Sequence, residues 1–284
     1  MKKIMLFVLA LCLCFTAVGA VFAETAAAEA PATETAPAET PATDKPVAEM
    51  TAEELYQAAR EAVGAKDYGK AMEYLHLAAD AGDIKAWGAI GSLYGLGLGV
   101  EQDSGKALEY IQKGADLGDA DSLYSLGAMY QIGEGVEQDY GKAVEYYLKA
   151  AELGEPWSIN NLGYLYENGL GVEQDYAKAM ECYQQAVDMG DAFAYTGLGD
   201  LYRHGRGVEQ DYAKAVEYYT LAAEQGVPEG MFCLGECCYE GHGLENDLEK
   251  AAEWYRKALD AGYEPNENDQ EHLKEVLGDE YQQK

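Results

Sequence analysis

The sequence predicts an all-α protein, a right-handed α–α solenoid superhelix of helix pairs with a C-terminal capping helix. Three observations carry this: a 36-residue period, apolar residues at helical spacing inside each period, and paired glycines between the apolar runs. Gly-x-Gly followed by Val or Leu occurs at Gly97–Val100, Gly133–Val136, Gly169–Val172, Gly205–Val208 and Gly241–Leu244. Asp67, Asp103, Asp139, Asp175, Asp211 and Asp247 keep the same step, as do the closing glycines Gly82, Gly118, Gly154, Gly190, Gly226 and Gly262. A fixed period of this length marks supersecondary units that bury their apolar faces only by stacking.

In chain order, residues 1–23 read as a signal peptide. Lys2 and Lys3 precede an apolar run from Ile4 to Ala20, and Val21-Phe22-Ala23 offers a signal peptidase its −3 and −1 residues. Cleavage is expected after Ala23, with Ala20 as the second choice. Cys12 and Cys14 follow leucines, whereas a lipoprotein signal places a small residue before its Cys. The expected protein is exported, periplasmic or secreted, and free of the membrane once the signal is cut. Residues 24–50 are Ala, Pro, Thr and Glu with almost nothing large and apolar. They cannot bury enough surface to offset the entropy of ordering, so a disordered linker is expected.

The unit 119–154 shows how each period is built. Ala120, Leu123, Leu126, Gly127 and Tyr130 form one stripe of a first helix, helix A. Gly133 and Gly135 stop it, with Val136 expected to tuck back as a plug. Asp139 is placed to cap a second helix, helix B, at the positive end of its dipole. Ala143, Tyr146, Tyr147, Ala150 and Ala151 line helix B, and Gly154 ends it. Gly127 and Ala143 let the two helices approach closely. The same pattern runs through 83–118, 155–190, 191–226 and 227–262. The opening unit, 51–82, lacks the Gly-x-Gly loop but places Leu55, Ala58, Ala59, Ala62, Tyr68 and Ala71 at helical spacing. After Pro265, residues 263–284 carry Leu273, Val276 and Leu277 on an otherwise polar helix, as the end of a stack requires.

Leu126 to Gly154, LGAMYQIGEGVEQDYGKAVEYYLKAAELG, resembles the Sel1-like repeat (SLR), a relative of the tetratricopeptide repeat (TPR). The resemblance covers the five units from Asp83 to Gly262. Unit 51–82 follows tetratricopeptide spacing and is expected to be a TPR-like N-terminal capping repeat. The resemblance implies a non-enzymatic scaffold or adaptor for protein–protein interaction, with helix A lining a concave face. It also offers an alternative, since some members of the secreted cysteine-rich branch are β-lactamases or penicillin binders. This chain has neither that branch's Cys spacing nor a Ser-x-x-Lys. A purely structural spacer is a third reading.

Composition limits the partners. The formal net charge is −31, from 20 Lys and Arg against 51 Asp and Glu. Such a balance repels nucleic acid and anionic lipid. It keeps a long array soluble and also favours a basic protein or peptide partner. No cofactor is expected. His204 and His242 lie in successive glycine loops and read as solvated rather than as a metal pair. The Glu-Gln-Asp loops, such as Glu137 to Asp139, read as helix caps before calcium ligands. Cys182, Cys237 and Cys238 occupy slots held by Tyr or apolar residues in other units and read as core substitutions. Pairing of Cys233 with Cys237 or Cys238 stays open. Of the helix-A residues off the apolar stripe, Tyr124, Trp157, Asn160, Asn161, Tyr164 and Phe193 are the candidate partner-binding residues, aromatics beside amides being common recognition chemistry.

Overall fold

The computed structural model describes residues 45–278 and Tyr281. The signal expected at 1–23 and most of the linker expected at 24–50 lie outside the described residues, and Val47–Glu49 is a single 3₁₀ turn. Regular structure among the described residues is otherwise α-helical, with no strand. The helices come in pairs, A then B: α1 (Ala52–Gly64) with α2 (Tyr68–Asp80), α3 (Lys85–Leu96) with α4 (Ser104–Asp116), and α5 (Ala120–Ile132) with α6 (Tyr140–Glu152). They continue as α7 (Pro156–Asn168) with α8 (Tyr176–Asp188), α9 (Ala194–His204) with α10 (Tyr212–Glu224), and α11 (Pro228–Glu240) with α12 (Leu248–Asp260), closed by α13 (Glu267–Leu277). No helix among the described residues is long and apolar enough to cross a membrane.

The chain divides into two compact units, the first ending at Leu153 and the second beginning at Gly154. In the first, α1 packs on α2, α3 on α4 and α5 on α6, while α2 meets α3 and α4 meets α5. In the second, the pairs α7–α8, α9–α10 and α11–α12 repeat the scheme, α8 meets α9, α10 meets α11, and α13 rests on α12.

Each pair is held by the same local chemistry. The aspartates placed for capping do cap: Asp139 Oδ1 accepts the Lys142 N–H at 3.0 Å, and Asp67, Asp103, Asp175, Asp211 and Asp247 act alike. The loop glutamine beside each cap has a role the sequence did not suggest. Gln102, Gln138, Gln174 and Gln210 donate from Nε2 to the carbonyls of Gly95, Gln131, Glu167 and Arg203, and Asn246 donates to that of Tyr239. These carbonyls lie in the last turn of helix A, where no intrahelical donor remains. The proposed valine plug is a weaker feature than expected, because Val136 stays half-buried in its loop.

In four of the six pairs the close approach of A and B rests on one glycine against a tyrosine. A Cβ on Gly127 would meet the Tyr147 ring at 2.5 Å, and Gly163, Gly199 and Gly235 stand likewise against Tyr183, Tyr219 and Tyr255. Glycine inside a helix costs roughly 0.5–1 kcal/mol. Here the cost is offset by a buried tyrosine ring. The stack ends in polarity. In register, α13 occupies the place of another helix A, yet its residues at the positions of Leu123, Leu126, Gly127 and Tyr130 are Glu267, Gln270, Glu271 and Lys274. Its other side buries Leu273 and Leu277 against Phe232 and Tyr255. All four described cysteines are free thiols, with Cys237 and Cys238 buried.

Candidate functional site on the helix-A face of the second unit

Helix A is enclosed on most sides, so the few of its residues that reach solvent define what a partner can touch. On α7 they include Trp157, Asn161, Tyr164 and Asn168, three or four residues apart and therefore on one face. The equivalent stripe on α9 is Phe193, Gly197, Asp200 and His204, and on α11 it is Glu229, Cys233, Glu236 and Glu240. Successive A helices touch, α7 with α9 and α9 with α11.

The six candidate residues divide. Tyr124 is corrected: it lies in the first unit, is only 4% exposed, and packs its ring 5.6 Å from that of Tyr147. Its ring is taken up by the contact with Tyr147 inside its own repeat. Trp157, Asn161 and Tyr164 share one stripe, and Tyr164 is 46% exposed. Asn161 Nδ2 donates to the Trp157 carbonyl at 3.0 Å, so part of its amide serves its own helix. Phe193 starts α9 half-buried, its N–H donating to Asp191 Oδ1 at 2.9 Å. Asn160 points to the neighbouring repeat, where its side chain favours the Asp191 anion.

Asp191 itself is 2% exposed. Burial pushes its carboxyl up to about 7 against the Phe193 and Asn160 donors, and the Glu155 carboxylate adds to the rise. A comparison within the chain explains this. Asp119 and Glu155 hold equivalent places and each accepts a serine hydroxyl three residues on, from Ser122 at 2.5 Å and Ser158 at 2.6 Å. Asp191 has Ala194 there, and its Oδ2 is buried without a hydrogen bond.

The larger part of this face was not foreseen. It is a ladder of carboxylates reached from below by the buried tyrosines of helix B. Tyr183 donates to Glu167 at 2.7 Å, Tyr219 to Asp200 at 2.6 Å, and Tyr255 to Glu236. Two arginines of one repeat then reach both ways. Arg206 Nη1 meets Glu167 Oε1 at 2.6 Å, and Arg203 Nη2 meets Glu240 Oε2 at 2.6 Å and Glu236 Oε2 at 3.8 Å. Glu236 Oε1 also lies 3.0 Å from His272 Nδ1 on α13, while Tyr239 donates to Glu275 at 2.7 Å. Burial raises the Asp200 carboxyl, with the Tyr219 hydroxyl opposing. The signal for the ladder was present: tyrosine recurs at 147, 183, 219 and 255, and a buried tyrosine hydroxyl needs an acceptor.

The thiols on this side are held protonated. Burial drives Cys233 well up and Cys237 to about 12. His242 stacks on Tyr212 at 4.2 Å and lies 2.8 Å from Glu240, whereas His204 is exposed at the end of α9. No group of three His, Cys, Asp or Glu able to hold a metal ion occurs among the described residues. The face therefore offers exposed aromatics, a partly neutralised row of acids, and side-chain amides.

A family model described as Sel1 repeat matches six segments: 55–83, 88–119, 120–155, 158–191, 192–227 and 228–263. No curated protein matches the chain. Among solved structures, a Sel1 repeat protein from Oxalobacter formigenes is 31% identical, with TM-score 0.65 over 78% of this chain and 96% of that one. A protective antigen of uropathogenic Escherichia coli displaying an SLR fold is 33% identical, with TM-score 0.60 over 79% of this chain and 48% of that one. The immunity protein Pa5087 of Pseudomonas aeruginosa is 28% identical, with TM-score 0.53 over 74% of this chain and 83% of that one.

Proposed function

The chain belongs to the Sel1 repeat family, a general protein-interaction scaffold fold, and from that premise we propose that it is an exported adaptor binding a peptide segment of a partner protein on the helix-A face of its second unit. The observation that carries the reading is Tyr164, a large aromatic left 46% exposed between Trp157 and the Asp200 carboxylate's helix, where most neighbouring large side chains are buried. Exposed aromatics beside polar groups are where binding energy concentrates. The exposed Glu229 carboxylate on this face and the net charge of −31 favour a basic partner. Neighbours of similar fold include an immunity protein and a protective antigen, and both descriptions suit a chain that meets other proteins.

Two experiments test this. N-terminal sequencing of the protein recovered from the cell envelope should begin at Glu24, and an intact Met1 would remove the export claim. Affinity capture with the full chain should recover a partner that Trp157→Ala with Asn161→Ala loses, with helicity unchanged. Equal recovery by the double variant would rule out this face.

A further inference from the structure

The first unit carries a second surface that the helix-A reading does not use. In α3, Trp87 stacks on Tyr110 of α4 at 6.0 Å and 16°, with Lys113 Nζ 5.3 Å over its ring. In the second unit Tyr195 stands in the same repeat position and stacks on Tyr218 at 6.4 Å. Between them in sequence the position belongs to Leu123 and then Ile159; the Leu123 repeat keeps Tyr146 and Lys149 where Tyr110 and Lys113 stood, whereas the Ile159 repeat has Cys182 and Gln185 there. Leucine is too small to do what tryptophan does. A cleft of about 400 Å³ remains, lined by Ala115, Leu123, Tyr146 and Leu153, with Asp116, Glu152 and Lys149 at its edge. Leu153, which lines this cleft, is 55% exposed. Leu153 thus gives the cleft an exposed apolar wall, which a partner's side chain can cover.

We propose that this cleft docks a basic segment of a partner protein, which inserts an aromatic side chain over Tyr146 in the place that Trp87 fills from within the chain one repeat earlier. The shape argument sets the aromatic, because the chain itself shows what fills the site. Charge sets the rest. Asp116, Glu152 and Glu145 are exposed on α4 and α6, while Lys113 and Glu109 pair with each other at 2.9 Å and Lys149 lies over the Tyr146 ring at 5.3 Å. A second copy would bring another −31 charges against this rim. The chain's own stretch from Glu24 to Asp44 has no aromatic residue and adds further carboxylates. A cationic segment is attracted where both of these are repelled.

The test uses the full chain and two fluorescein-labelled probes, the peptides Lys-Lys-Trp-Lys-Lys and Lys-Lys-Ser-Lys-Lys, read by anisotropy near physiological salt. The tryptophan peptide should bind more tightly than the serine peptide. Leu123→Trp, which fills the cleft, and Leu153→Gln, which removes an exposed apolar wall without changing charge, should each weaken it about tenfold. Glu253→Gln with Asp260→Asn, exposed acids on α12, should leave it unchanged. Equal binding of the two peptides, or unchanged binding to both cleft variants, would overturn the proposal. So would an equal loss with the α12 pair, which would mean diffuse charge. A concentration-dependent dimer abolished by Leu123→Trp would assign the cleft to a second copy instead.

Discussion

The hydroxyl of Tyr219, a side chain with no exposed surface, crosses from α10 to donate to Asp200 Oδ1 on α9 at 2.6 Å. One side chain thus packs the A–B interface and favours the ionised form of one carboxyl of the functional face, against the effect of burial. Tyr219→Phe should cost about 1–3 kcal/mol, since it leaves a largely buried acceptor without its donor. The loss should be greatest where Asp200 is ionised and should shrink as pH falls and the carboxyl takes a proton. Urea denaturation at about pH 8 and about pH 4 checks both parts.

Asp191 gives a signed pH dependence. Its folded carboxyl titrates at about 7, above the ordinary carboxylate range, so the folded state holds a proton that the unfolded chain has released. Its contribution to stability is present below the unfolded value and is lost as pH rises through the folded one. Ala194→Ser supplies the hydroxyl that Ser122 and Ser158 give their acids. It should stabilise the protein by about 1 kcal/mol at neutral pH and lower the Asp191 midpoint. Thermal melts across pH would show a flatter profile for the variant, and an unchanged profile would refute the explanation.

Two glycines of one helix pair should respond oppositely to alanine. Gly127→Ala places a Cβ 2.5 Å from the Tyr147 ring and should cost about 1–3 kcal/mol. Gly141 lies in the first turn of α6, at the position held by Ala177 and Ala213 in later repeats. Gly141→Ala should therefore stabilise by about 0.5–1 kcal/mol. Denaturant midpoints of the two variants should move in opposite directions.

Lys66 closes the short turn between α1 and α2 at φ 59°, a left-handed conformation that the later repeats assign to glycine. Lys66→Gly should gain about 0.5–1 kcal/mol, the relief of strain exceeding the added freedom of the unfolded chain. A lowered melting temperature would show that the lysine side chain matters more than its backbone.

The helix pairs were legible in the sequence because period, glycine and capping aspartate are local signals that repeat six times. The face was legible only in part. Trp157, Asn161 and Tyr164 follow from helical spacing, since they lie on one stripe. Tyr124 lies beside the stripe rather than on it, at the position of Asn160, and its packing on Tyr147 is a tertiary contact that helical spacing does not reveal. The carboxylate ladder escaped because its partners lie 16 or 19 residues apart, Glu167 with Tyr183 and Asp200 with Tyr219, and neither residue type alone announces the pairing. Leu123 escaped for the same reason: its meaning comes from what Trp87 does one repeat earlier.

The most direct test of the adaptor reading replaces Tyr164 in the full-length protein with a photo-crosslinking amino acid in the native cell. A cross-link to a defined partner should form there, disappear with Trp157→Ala, and be absent when the same group is placed at Glu181 on the outer side of α8. Equal labelling from both positions, or labelling indifferent to Trp157, would contradict it.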